Sequence, residues 1–105
     1  MNDDRWARAA EDALTVLELL PDMEATPQEW ARVEQLLATA VETAADRRDA
    51  EALTAAIREV KDLTGAYHGP ARLPEQPPQP PGPPVLDRIP KLVQKIGRLL
   101  PGSDA

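Results

Sequence analysis

Few side chains in this sequence could do covalent chemistry, and their placement does not favour it. His68 is the single histidine, Ser103 the single serine, and there is no cysteine. Acyl-transfer chemistry of the serine type needs hydroxyl, imidazole and carboxylate gathered on one formed site. Here the hydroxyl falls in the polar Pro101–Ala105 stretch, and His68 reads as an ordinary residue at a helix exit. The absence of cysteine removes thiol nucleophiles, disulfides and thiolate metal ligands together. One imidazole is too few for a structural zinc site, and the Asp and Glu residues do not follow the spacing of a calcium loop. The five glycines (65, 69, 82, 97 and 102) are scattered and follow no strand, so no phosphate-cradling loop is formed. The expectation is a protein with no catalytic residues, no metal and no cofactor.

What remains is the chemistry of contact, and charge sets its terms. The net charge is −6, unevenly distributed. Residues 1–69 hold 7 Lys/Arg against 15 Asp/Glu, a net −8, whereas residues 70–105 hold 5 against 3, a net +2. An acidic body repels a phosphate backbone, which argues against nucleic acid as a partner. Glu11, Glu18, Glu34, Glu42 and Glu59 read as a solvated acidic face. The opening Met1-Asn2-Asp3-Asp4 is acidic, the wrong start for a secretory signal, and the apolar runs are far shorter than a bilayer span. A cytoplasmic location is the default expectation.

The elements that carry these charges are helical. Asn2, Asp3 and Asp4 offer caps to a first helix over about residues 3–20, whose stripe is Trp6, Ala10, Ala13, Leu14, Leu17 and Leu20. Pro21 stops it. Thr26-Pro27-Gln28-Glu29 has the form of a capping box with proline at the first helical position. It opens a helix over 27–46 with Trp30, Val33, Leu37, Ala40, Val41 and Ala44 on one face and Leu36 at its margin. Asp49 can cap a third helix over 50–64, striped by Leu53, Ala56, Ile57, Val60 and Leu63, with Gly65 placed to close it in the left-handed conformation. Both tryptophans lie on apolar stripes, which assigns them to the core: Trp30 near Leu17, Leu20 and Val60, Trp6 near Ala44 and Leu53. Residues 1–66 therefore read as an up-down-up three-helix bundle.

From there the character changes. Eight of the twelve prolines fall within residues 70–84, so 67–84 reads as an extended proline-rich linker. Its P-x-x-P spacings, such as Pro74 to Pro77, arise readily in any proline-dense segment, and a spacer is the simpler reading. A basic amphipathic helix follows over 85–100, with Asp87 as its expected cap and Pro90 in its first turn. Residues 101–105 read as a disordered tail.

That last helix is the candidate binding element. Ile89, Leu92, Val93, Ile96, Leu99 and Leu100, with Val85, form its apolar face, and Arg88, Lys91, Lys95 and Arg98 line another. A 16-residue helix is marginal alone in water, so it must fold against something. Three seats are open: its own body as a fourth helix, a groove on a partner protein, or an anionic membrane surface. The first two suit an adaptor, steered by the four cations; the third is the alternative function. The thin body core, with no Phe and sixteen large apolar side chains over residues 2–64, could use the seven more on the apolar face of the C-terminal helix.

The order of parts resembles one bacterial family. Thr26 to Trp30 opens a Trp-bearing helix, Gly69-Pro70-Ala71-Arg72 follows the third helix, Pro80 to Val85 is a proline run, and Arg88 to Ile96 carries a Leu-Val pair. This arrangement is similar to that of the small proteins associated with CATRA systems, the caspase- and TPR-repeat-associated modules of bacterial conflict systems. The resemblance spans nearly the whole chain and rests on arrangement, not on a catalytic signature. It implies an accessory component of a multi-protein defence-type system, with protein partners that include a larger component of that system.

Overall fold

The computed structural model describes residues 2–64 and 79–100, apart from the side chains of residues 2 and 3. Gly65, Tyr67, His68, the greater part of the proline linker (70–78) and the 101–105 tail with Ser103 lie outside the described residues, as do the side chains of the proposed caps Asn2 and Asp3.

The protein is all-α: α1 (Asn2–Leu19), α2 (Pro27–Leu36), α3 (Glu42–Arg47), α4 (Ala50–Leu63) and α5 (Pro83–Arg98). Leu20–Asp22 form one 3-10 turn after α1, accommodating Pro21 at its start. Thr26 caps α2 in both directions. The Glu29 amide donates to Thr26 Oγ1 at 3.2 Å, and the Thr26 amide donates to Glu29 Oε1 at 3.0 Å.

The helix expected over 27–46 is not uniform. A π-helical turn, Leu37–Val41, joins α2 to α3 without a break in the right-handed backbone. Leu36 and Leu37, where α2 passes into this turn, are both buried, together with Val33 and Val41.

The rod formed by α2, the π-turn and α3 ends in a Schellman motif built on an arginine. Arg48 takes the left-handed conformation (φ 51°), its amide donates to Ala45 O at 3.1 Å, and the Asp49 amide donates to Ala44 O at 2.9 Å. Asp49 then caps α4 by accepting from the Ala52 amide at 3.0 Å. Because Arg48 is exposed and its conformation suits glycine, Arg48→Gly is expected to raise stability by about 0.5–1 kcal/mol. A urea midpoint that moves down instead would mean that the arginine side chain itself holds the corner.

α5 starts earlier than its sequence suggests. Gly82 occupies the N-cap position, and Pro83 and Pro84 make up the first turn, where a missing N–H costs nothing. Asp87 is therefore not the cap, and Pro90 lies inside the helix instead of in its first turn. The proline is tolerated because it and Leu86, whose carbonyl loses its usual donor, are both on the solvent side.

α4 and α5 each pack against both α1 and the α2–α3 rod, and not appreciably against each other. They therefore occupy opposite corners of a four-rod arrangement, as α1 and the rod do across the other diagonal. Lys61 of α4 meets Asp12 of α1 at 3.2 Å, and Arg32 of α2 meets Glu59 of α4 at 2.9 Å. One apolar core runs through all four rods, with alanines 9, 10, 13, 44, 45 and 56 allowing close backbone approach around Leu17, Leu20, Leu37, Leu53 and Ile57. Val85, Ile89, Leu92 and Ile96 of α5 belong to the same core.

Candidate functional site

The seat of α5 is the feature that the sequence left open, and three kinds of bond define it. The first is apolar. Val85, Ile89, Leu92 and Ile96 recur at the spacing of one helix face and are buried, with Ile96 at 0% exposure. Val93, Leu99 and Leu100 pack partly buried around them. Of the six residues singled out for partner binding, Ile89, Leu92 and Ile96 are buried in the chain's own body, whereas Val93, Leu99 and Leu100 keep part of their surface exposed. A partner could reach the buried row of Ile89, Leu92 and Ile96 only after lifting α5 away.

The second is a pair of indole hydrogen bonds, one at each end. Trp30 Nε1 donates to Gln79 O at 2.7 Å, just ahead of the helix, and Trp6 Nε1 donates to Leu99 O at 3.0 Å, at its close. Gln79 also exchanges both backbone hydrogen bonds with Ala25, at 3.0 and 2.9 Å, in an isolated antiparallel bridge. The bond to Leu99 satisfies a carbonyl of the kind left without a donor at every helix end. Both tryptophans are buried, but neither is simply a stripe residue, because their N–H groups fasten the C-terminal segment. A buried indole N–H requires an acceptor, and that requirement was the available signal; the position of the acceptor was not.

The third is electrostatic. Lys95 Nζ lies 2.6 Å from Asp46 Oδ1 and 3.5 Å from Glu42 Oε1. The hydrogen bond to Asp46, with the charges of Asp46 and Glu42, holds the Lys95 pKa above the ordinary 10.5. A raised lysine pKa means a contribution that is complete below the unfolded value and lost as pH climbs through the folded one. The stability difference between the native chain and Lys95→Met is therefore expected to stay level through neutral pH. It should vanish only above pH 10.5, as read from paired melting curves.

The acidic face is accordingly not all idle: Glu42 reaches Lys95 and Glu59 reaches Arg32. Of the four cations assigned to guidance, Lys95 is committed to the body, whereas Arg88, Lys91 and Arg98 have no ion-pair partner among the described residues. Beside them lies an open hollow of about 310 Å³ between α3 and the last turns of α5, lined by Asp46, Lys91, Gln94, Lys95, Arg98 and Leu99.

Nothing among the described residues gathers for metal chemistry, since no group of three His, Asp or Glu side chains converges. No buried side-chain polar atom there lacks a hydrogen-bond partner. No helix among the described residues is long and apolar enough to cross a membrane. No curated protein and no solved structure matches the chain. One family model does match, over residues 12–100, which takes in the capped Trp30 helix, the linker and the docked α5. The chain belongs to the CATRA-Associated Small Protein family.

Proposed function

We propose that this protein is a non-catalytic accessory component of a CATRA system that works by binding other proteins, with α5 as a built-in part of the body it presents. The family supports the accessory role. The observation that carries the contact reading is the integration of α5. Its apolar face completes the protein's own core, so the folded unit offers charged helical surface to a partner. Membrane-surface attachment would need that same face turned outward.

The test is co-elution of the purified full chain with purified CATRA-system proteins on size exclusion. A stable complex with at least one of them is expected. No complex with any of them, or a turnover activity in the isolated chain that Lys91→Glu and Arg98→Glu leave intact, would sink the reading.

A further inference from the structure

Resting on that reading, we infer that the outer edge of α5, formed by Arg88, Lys91 and Arg98, is a docking strip for an acidic segment of a protein partner. Residues 88, 91, 95 and 98 follow one another at three- and four-residue steps, which places them along one side of the helix next to the buried row of Val85, Ile89, Leu92 and Ile96. The backing is rigid, because the Trp30 bond to Gln79 and the Trp6 bond to Leu99 hold both ends of the element. Cations displayed on a fixed helix lose less freedom on binding than cations on a loop.

The charge arrangement is selective. The first 69 residues carry 15 carboxylates, and two of them converge on Lys95. Lys91 and Arg98, within one turn of Lys95 on either side, are left without an ion pair among the described residues, as is Arg88. The hollow of about 310 Å³ beside Lys91 and Arg98 has room for an incoming side chain, and the planar guanidinium of Arg98 suits a carboxylate in two-point contact.

Other anions fit less well. A nucleic acid or an anionic bilayer is an extended polyanion, whereas the strip is only about 15 Å long and belongs to a molecule of net charge −6. The hollow also contains Asp46 and adjoins the C-terminal end of α5, where carbonyl dipoles point outward. Both features oppose any anion, but a singly charged carboxylate facing Lys91 and Arg98 meets half the repulsion of a doubly charged phosphate.

The probe is a labelled oligoglutamate peptide titrated into the full-length chain, with amide chemical shifts followed in parallel. Binding that weakens several-fold from about 50 to about 300 mM salt is expected. Shifts should be confined to residues 88–98 and their α3 neighbours. Lys91→Glu/Arg98→Glu, at two exposed positions, should cost at least about tenfold in affinity at an unchanged melting temperature. Undetectable peptide binding, shifts centred elsewhere, or affinity indifferent to the charge reversal would overturn the strip. So would tighter binding to a DNA duplex or to phosphatidylserine vesicles than to the peptide. Should the double variant melt early, the shift map on the native chain decides alone. If the peptide fails while the chain still co-elutes with a CATRA-system protein, the strip falls and the accessory reading stands.

Discussion

Ile96→Asp is expected to cost about 5 kcal/mol, enough to unfold a domain whose total stability is of the usual order of 5–15 kcal/mol. Ile96 has no exposed surface and sits in the shared core with residues of α1 and the rod. An aspartate there loses the packing of the isoleucine and strands a carboxyl among apolar groups. Protonation relieves part of the penalty by raising the carboxyl pKa, but leaves a polar group to satisfy. Two controls on the same helix calibrate the result. Ile96→Val removes one methyl group and should cost about 1 kcal/mol. Lys91→Glu, at an exposed position, should stay within about 0.5 kcal/mol. Urea unfolding followed by tryptophan fluorescence is the direct readout, since Trp6 and Trp30 both bond to the segment that carries α5. A near-neutral Ile96→Asp would mean that α5 stands free of the body in solution, awaiting a groove elsewhere.

The contrast between those positions shows how much of the molecule could be read from its sequence. The helical stripes, the Thr26–Glu29 box and the Asp49 cap were legible because each depends on neighbours within a turn or two. Where α5 sits was not, since an apolar stripe states that burial is needed and says nothing of the surface that supplies it. The π-turn is not legible because one widened turn leaves a 3.6-residue period almost intact on either side. Nor is Arg48, because the left-handed corner is ordinarily announced by glycine or asparagine, and here the six-to-one and five-to-two bonds of the motif carry it without either. The start of α5 at Pro83 is hidden for a different reason. Paired prolines argue against helix in its interior, but at its first two positions they only remove donors the helix never uses. For the candidate site, the four cations were legible as a row, but the division of labour among them was not. That depends on Glu42 and Asp46 arriving from α3, some fifty residues earlier in the chain.

Trp30→Ala is the second large effect, at about 3–5 kcal/mol, and its consequences are local enough to be mapped. The indole is 5% exposed and fills the core at the start of α2, while its N–H binds Gln79 O at 2.7 Å. Truncation therefore opens a cavity and removes a tie on the chain just before α5. Trp30→Phe separates the two effects. It keeps most of the ring volume and deletes the donor, leaving Gln79 O to the Ala25 amide, so a smaller loss of about 1–2 kcal/mol is expected. Amide exchange then tells where the loosening falls. In the native chain the amides of α5 facing the core should exchange only through the rarest openings. In Trp30→Phe the Gln79 amide and the first turns of α5 should exchange sooner, while residues near Leu99, still held by Trp6, should keep more of their protection. Even loss along the whole of α5 would instead mean that the helix leaves its seat as one piece, and that the two tryptophans close a single cooperative contact and not two independent ones.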